Sequence, residues 1–329
     1  MLDAVAPEHF VLVQLADGRF HSGAALAEQL QVSRTAVWKY IRSLSARGLE
    51  IFSVPGKGYR LASPLDLLDT AKMHMAMEPE SFALLTNLEI HLSLDSTNSY
   101  LKNLAQQGAA SGHVCMAEHQ SQGRGRRGKA WVSPVGCNLY FSVLWRYQNA
   151  PANLGGLSLV LAVGVARALQ KIGLNDVGVK WPNDIWWREQ KLAGILLEMT
   201  GEAGGACHVV AGIGVNVAMP VEAASGIDQS WADVAGALGK PVSRNHLAGL
   251  ILHEILPLLR DFPQAGLQLL RNEWRRYDAL AGRAVKIIYT PERELVGVAA
   301  GIDDDGALLL HSNGEIQRIY SGEVSLRPV

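Results

Sequence analysis

Apolar positions in the first sixty residues recur at helical spacing and then switch to a short alternating pattern. Phe10 to Leu15 predicts a first helix. Ser22 stands before Gly23–Leu30, and Ser33 stands before an amphipathic run to about Arg47, each serine placed to cap the helix behind it. With a tight turn at Gln31-Val32, the pair makes a helix-turn-helix pattern. In the second helix Ala36, Val37, Ile41 and Leu44 face inward, while Arg34, Thr35, Trp38, Lys39 and Arg42 lie near its start and outer face. Side chains at the start of such a helix reach base edges in a major groove. Leu49–Val54, the turn Pro55-Gly56-Lys57-Gly58 and Tyr59-Arg60-Leu61 predict a hairpin, or wing, bearing Lys57 and Arg60. Ser63-Pro64 marks a boundary.

The central stretch alternates strands and helices. Glu89–Leu94 predicts a strand delivering Asp95-Ser96-Thr97-Asn98, with a helix from Ser99. Small hydroxyl and amide side chains at a strand end can read a polar ligand, although on their own they make an ordinary N-cap. Val114–Glu118 and Asn138–Trp145 predict strands flanking a polar loop, and Leu154–Ile172 a long helix before the strand Val177–Lys180. Its apolar run from Leu154 to Ala166 is too short to span a bilayer and predicts a buried helix. Pro182 stops the next strand in Lys180-Trp181-Pro182-Asn183-Asp184, leaving Asn183 and Asp184 at its end. Lys191 opens a strand running through Glu198; as a lone lysine at a hairpin it is by default a surface cation, yet it can reach an anion as a point charge. Val209–Gly212 followed by Ile213-Gly214-Val215-Asn216 predicts a strand whose glycines allow close backbone approach. From about Gly282 to Val329 come five short strands with turns at Thr290–Glu292, Asp303–Gly306 and Ser312–Glu315, the last containing Asn313-Gly314. That spacing predicts a small barrel.

Composition narrows the class. The 329 residues, 48% hydrophobic and 19% charged, are enough for two or three globular domains with ample core. The three cysteines, Cys115, Cys137 and Cys207, are odd in number and follow no metal spacing, which predicts a reduced cytoplasmic setting. Met1-Leu2-Asp3 opens without a basic segment, so no signal peptide and no membrane association are expected. The winged-helix stretch holds seven Lys/Arg against five Asp/Glu in residues 1–63, a small excess for a DNA-binding unit and compatible also with a protein-interaction module.

Charge is concentrated elsewhere. From His119 to Asn175 there is no Asp or Glu, while Arg124, Arg126, Arg127, Lys129, Arg146, Arg167 and Lys171 are all cationic. At its centre Gly123-Arg124-Gly125-Arg126-Arg127-Gly128 combines glycines that bend sharply with guanidinium forks, a loop suited to an anion. The six residues match the dinucleotide fingerprint literally, but that fingerprint needs a strand before, a helix after and an acid about 20 residues on. Here Lys129-Ala130-Trp131-Val132-Ser133-Pro134 follows, and the first acid is Asp176, so the dinucleotide reading fails.

Taken in order, Gly123–Gly128 within Gln120…Trp131, Lys180–Asp184, Lys191–Glu198 and Gly212–Asn216 resemble the biotin protein ligases. The winged helix in front makes the resemblance specific to the bifunctional ligase/repressor kind, and it covers essentially the whole chain. It implies an α+β protein in three parts: a winged helix-turn-helix at 1–64, a catalytic domain at 65–276 with a central mixed sheet akin to class II synthetases, and an SH3-like barrel at 277–329. The implied chemistry is biotin activation by ATP to biotinyl-5′-adenylate, then transfer to a lysine of the biotin carboxyl carrier protein of acetyl-CoA carboxylase. No Ser/His/Asp or Cys/His set is present to form a covalent enzyme intermediate, and this chemistry requires none.

By the same resemblance Ser96, Thr97, Asn98 and Gln120 contact biotin, and Arg124, Gly125 and Arg126 close over biotin and the adenylate phosphate. Lys191 serves the carboxylate or α-phosphate. Lys180, Asn183 and Asp184 serve ATP and Mg²⁺, with Mg²⁺ on Asp184, and Asn216, Trp131 and Trp231 lie near the nucleotide. Ser33, Arg34, Thr35, Trp38, Lys39, Arg42 and Lys57 are implied to meet operator DNA, with a homodimer formed when the adenylate is bound. Two alternatives stay open: a lipoate-type ligase of the same superfamily, and a repressor that senses biotin without catalysis.

Overall fold

The computed structural model describes residues 7–148, 154–201, 205–290, 293–320 and 325–328. Its N-terminal part holds α1 (Pro7–Leu15), α2 (Gly23–Leu30), α3 (Arg34–Ala46) and the antiparallel hairpin β1 (Ile51–Val54) and β2 (Gly58–Leu61). Both predicted caps form: Ser22 Oγ accepts from Ala24 N, and Ser33 Oγ accepts from Ala36 N. Val37, Ile41 and Leu44 of α3 are buried against Val11, Leu12, Leu15 and Leu26. This small core also takes in Val135, from far along the chain, with Leu92 and Leu65 packed on its edge.

Two short helices, α4 (Thr70–His74) and α5 (Pro79–Phe82), lead into the central sheet. Its strands are β3 (Asn87–His91), β4 (His113–Ala117), β5 (Leu139–Tyr147), β6 (Val177–Lys180), β7 (Asp184–Trp187), β8 (Gln190–Gly201) and β9 (Cys207–Val215). They run in the order β3-β4-β5-β9-β8-β7-β6, parallel between β3 and β4 and antiparallel elsewhere. Helix α6 (Thr97–Gln106) packs on β4, β5 and β9 over a small cluster of Leu101, Ala105, Cys115, Leu144 and Val210. The main core gathers α7 (Leu157–Lys171) and α9 (Arg244–Ala265), which pack on one another, with side chains of the central strands. Helix α7 is apolar nearly all round and is buried accordingly. Pro263 lies inside α9 and has no N–H for the carbonyl of Leu259; the Tyr147 hydroxyl donates to that oxygen instead, at 2.9 Å.

After α8 (Val234–Leu238), α9 and α10 (Arg271–Tyr277), the tail forms β10 (Ala284–Thr290), β11 (Arg293–Ile302), β12 (Leu308–Ser312), β13 (Glu315–Ile319) and β14 (Ser325–Pro328). These make a five-stranded antiparallel sheet in the order β13-β12-β11-β10-β14. Asn313 and Gly314 both take positive φ, 52° and 81°, in the two-residue turn between β12 and β13. The turn expected at Thr290–Glu292 includes Pro291 and Glu292, which lie outside the described residues. Val285, Ile287, Leu308 and Leu326 of this sheet join the same core as the central strands.

Three local expectations need correction. The first central strand ends at His91 rather than Leu94, because Leu94 has left β4 and makes only an isolated bridge to Gln120. Helix α6 starts at Thr97 rather than Ser99: Ser96 is its N-cap, with Oγ 3.5 Å from Ser99 N. Asp184 does not trail a strand end. Pro182 reverses the chain, and Asp184 opens β7 directly opposite Lys180.

Candidate functional site

The site is built where the first turn of α6 meets strands too bare to keep it away. On one face of the sheet, register aligns Ser142 of β5 with Gly212 of β9 and Leu196 of β8, and then Tyr140 with Gly214 and Gly194. A Cβ on Gly212 would lie 2.1 Å from Asn98 Oδ1, and one on Gly214 would lie 2.5 Å from the Trp131 ring. Glycine is therefore required at both positions for Asn98 and Trp131 to lie against the sheet.

The α6 turn is held by a polar network. Thr97 donates through its backbone N and its hydroxyl to Gln120 Oε1, at 2.9 and 3.2 Å. Gln120 Nε2 donates to Ser133 Oγ at 3.2 Å. Ser142 Oγ, fully buried, lies 2.8 Å from Thr97 Oγ1 and 2.6 Å from Asn98 Oδ1. Asn98 Nδ2 donates to Glu198 Oε2 at 2.8 Å and to Leu196 O at 3.4 Å. The Asn98 amide is thus committed to the protein on both sides.

The glycine-arginine segment is a closed ribbon. Trp131 N donates to Gly123 O at 2.8 Å and Gly125 N to Lys129 O at 2.7 Å, with a short 3₁₀ turn over Arg126–Gly128. Its side chains diverge. Arg124 reaches Ser99 Oγ at 2.9 Å and Glu198 Oε2 at 3.4 Å on the α6 side. Arg126 reaches Asn183 Oδ1 at 3.4 Å on the opposite side. Burial lowers the Arg126 pKa, with Asp184 opposing the shift; a guanidinium stays charged throughout.

The second wall is the β6–β7 hairpin with the start of β8. Lys191 Nζ lies 2.8 Å from Asp184 Oδ1 and 5.4 Å from the Trp131 ring centroid. Lys180 Nζ lies 4.6 Å from the Trp186 ring centroid. Burial lowers the Lys180 pKa, against the pull of Asp184 and with the push of Lys191 and Arg327. Asn183 Nδ2 donates to Ile195 O at 2.5 Å, and Asn216 Nδ2 to Ala232 O at 3.1 Å. Lys191 N donates to Ser230 O and Ala232 N to Lys191 O, both at 3.0 Å, which lays the Trp231 segment along the rim.

Ser96, Thr97, Asn98, Gln120, Arg124, Gly125 and Arg126 line one cavity of about 660 Å³, and so do Lys180, Asn183, Asp184, Lys191, Asn216, Trp131 and Trp231. The cations of the acid-free stretch are not unopposed in space. Glu198 faces Arg124, Asp228 lies 3.5 Å from Lys129, and the charge of Asp184 acts on Arg126. The pocket that looked acid-poor in sequence collects its acids from later strands and a later loop. Reasoning from the sequence also missed Ser142 and Glu198, and it missed Ile288, Leu326 and Arg327, which bring the C-terminal sheet into the lining. Alternation in the tail predicts which side of those strands is buried, but not that their end closes a pocket.

At the other end of the molecule Ser33, Arg34, Thr35, Trp38, Lys39, Arg42 and Lys57 are all exposed. The Arg42 guanidinium lies 4.9 Å from the Trp38 ring centroid. Among the described residues no helix is long and apolar enough to cross a membrane.

Comparison with known proteins covers the whole length. A model of the HTH domain matches residues 9–60, one of the Biotin/lipoate A/B protein ligase family residues 91–216, and one of the Biotin protein ligase C terminal domain residues 281–327. The bifunctional ligase/repressor BirA of Salmonella typhimurium is 42% identical over 99% of both chains, and that of Escherichia coli 41% identical over 99% of both. Among solved structures, the biotin protein ligase from Aquifex aeolicus in complex with biotin and ATP is 30% identical with a TM-score of 0.64, covering 74% of this chain and 100% of that one.

Proposed function

The chain belongs to the biotin protein ligase family, in its bifunctional ligase/repressor form, and from that premise we propose that it activates biotin with ATP, transfers it to a carrier lysine, and represses transcription through its winged helix. The observation that supports this best is convergence. Residues from α6, the 120–131 loop, the β6–β7 hairpin, β8 and β9 meet in a single cavity although they are scattered along the chain from Ser96 to Trp231.

In this reading biotin's carboxylate attacks the α-phosphorus of ATP and pyrophosphate leaves. The amine of a carrier lysine then attacks the acyl carbon, AMP leaves, and the amine loses a proton. Two anions have to meet, so the site works by neutralising charge and aligning reactants. Thr97, Gln120 and the neighbouring α6 turn bind biotin, with Ser96 and Asn98 shaping that wall. Lys191 takes the carboxylate or α-phosphate oxygens, releasing Asp184 as it does so. Arg126 and Lys180 hold phosphate, while Gly125 lets the loop backbone come close. Trp131, Asn216 and Trp231 surround the nucleotide base. Asp184 and the Asn183 amide oxygen are hard donors of the kind Mg²⁺ takes alongside phosphates, and they are the residues that would hold it; bound there, the ion would neutralise phosphate charge.

The division at about residues 64 and 276 is the one we propose for the three units. The small core gathered by α1–α3, which Val135 alone of the later buried residues joins, supports the first boundary. A homodimer is proposed for the adenylate-bound state. Its support is an open edge: β8 pairs with β7 only as far as Gly194, so among the described residues Leu196–Gly201 pairs with β9 alone, and Met199 there is 48% exposed. A two-fold joining such edges would present two winged helices to a palindrome. The operator and the biotin carboxyl carrier protein of acetyl-CoA carboxylase are the proposed partners, and the cytoplasm the proposed site of action, where the free thiols Cys115, Cys137 and Cys207 stay reduced.

The deciding experiment is incubation with ATP, biotin and a carrier domain, read by intact mass. Added biotinyl mass on the carrier supports the enzyme, and none rules it out. Isothermal titration of biotin against lipoate separates the two acyl chains.

A further inference from the structure

Glu198 stands outside the cavity lining, yet three side chains, two from α6 and one from the arginine ribbon, converge on its carboxylate. Oε2 accepts from Asn98 Nδ2 at 2.8 Å and lies 3.4 Å from Arg124 NH2, and Oε1 accepts from Lys102 Nζ at 2.9 Å. Its side chain is 21% exposed, and Arg124's is 43% exposed. Burial raises the Glu198 pKa, but hydrogen bonds from Asn98 and Lys102 and the charge of Arg124 outweigh it, so the net shift is downward and the group is anionic at neutral pH. The partners of Arg124, Ser99 and Glu198, both lie on the α6–β8 wall, whereas Arg126 points to Asn183 across the pocket. The two arginines of one ribbon therefore grip opposite walls. Arg124 is already engaged by protein and is poorly placed to spend its charge on a ligand.

We propose that Glu198 is a positioning residue: together with Ser99 it latches Arg124, and so fixes the Gly123–Gly128 ribbon across the pocket mouth. This rests on the ligase reading above. Under it, Arg126 supplies the charge that meets the phosphate, and Arg124 supplies the anchorage that keeps Arg126 in place. Loss of the latch leaves the reacting groups intact and shortens the time the adenylate stays bound.

The test uses the full chain, with adenylate formed in place from biotin and ATP. Wild type must form adenylate and biotinylate a carrier; if it does not, the ligase reading fails and the latch is not the reason. In Glu198→Gln the adenylate still forms, but it escapes roughly three- to tenfold faster, the worth of one half-buried ion pair. Trypsin cuts within Arg124–Arg127 faster by a similar factor, while the melting temperature hardly moves. Ser99→Ala, which removes the other partner of Arg124, gives the same signature and serves if Glu198→Gln does not fold. Lys102→Met, which removes a Glu198 contact without touching Arg124, leaves escape and cleavage at wild-type rates. Wild-type escape in both Glu198→Gln and Ser99→Ala overturns the proposal. So does equal leakage in Lys102→Met, which would mean a general loosening of α6.

Discussion

Lys191 Nζ sits 2.8 Å from Asp184 Oδ1, on adjacent strands whose register places Asp184 opposite Gly194 and Lys191 opposite Trp186. Each charge is the other's partner until a more negative group arrives. A contact of this kind that strengthens in the transition state is worth about 3–4 kcal/mol, or roughly 10²- to 10³-fold in rate. We expect Lys191→Ala to keep its circular dichroism spectrum and to lose adenylate formation by that factor. Pyrophosphate release within a fewfold of wild type would remove Lys191 from the chemistry.

Gly214 is the second test, because the Trp131 ring rests on it. Gly214→Ala puts a methyl 2.5 Å from the indole, and neither the strand nor the ring has an easy retreat. Overpacking of this sort typically costs about 1–3 kcal/mol. We expect a lower melting temperature, a changed near-ultraviolet tryptophan signal and a raised KM for ATP. An unaltered KM for ATP would separate Trp131 from the nucleotide.

Arg126→Gly is expected to make adenylate and then lose it. Charge-assisted bonds are worth about 1.5–3 kcal/mol, which is roughly ten- to a hundredfold in retention. A mixed anhydride that escapes acylates any exposed amine. Mutant, ATP, biotin and serum albumin mixed together should give albumin-bound biotin. Unlabelled albumin beside a normally modified carrier would show that Arg126 is no clamp.

Arg34, exposed at the start of α3, is expected to matter for DNA alone. If it touches phosphate, Arg34→Ala weakens binding to all sequences and lowers the salt slope by about one; if it touches a base, specificity relaxes at one position. Carrier biotinylation should be unchanged, and a parallel loss of ligase activity would contradict this.

Acid should loosen the junction of the winged helix and the central sheet. Burial lowers the pKa of His9, with Glu118 opposing, and of His119, with Arg47 adding to the effect. A histidine whose folded pKa lies below its unfolded value costs nothing where both states are neutral. Its penalty appears as pH falls through the unfolded value of about 6.5. We expect the urea midpoint to drop between about pH 7 and pH 5.5 through these groups, and the drop to shrink in the His9→Gln, His119→Gln double variant. A double variant with the wild-type pH slope would clear both residues.

What could be read from the sequence was chiefly local. Ser22, Ser33 and Asn313-Gly314 act through neighbours two or three residues away, so their roles follow from spacing. Six strands of the central sheet were legible for the same reason, although β7 (Asp184–Trp187) was missed, and motif order brought out the pocket residues. The rest depends on register. That Ser142 meets Asn98, or that Glu198 meets Arg124, follows from which strands pair and in what alignment, and no window of the chain encodes it. The partners of Arg124 and Lys129 were hidden likewise, since Glu198 and Asp228 join the ribbon only through folding.

Val135 lends its side chain to the small core of the winged helix, while Ser133, two residues before it, accepts a hydrogen bond from Gln120 at the pocket. Deleting residues 1–63 would therefore do more than discard a DNA-reading module. It would uncover Val135, two residues beyond Ser133 of the pocket network, and Leu92 just past the end of β3. The winged helix and the ligand loop are thus joined through the packing of Val135.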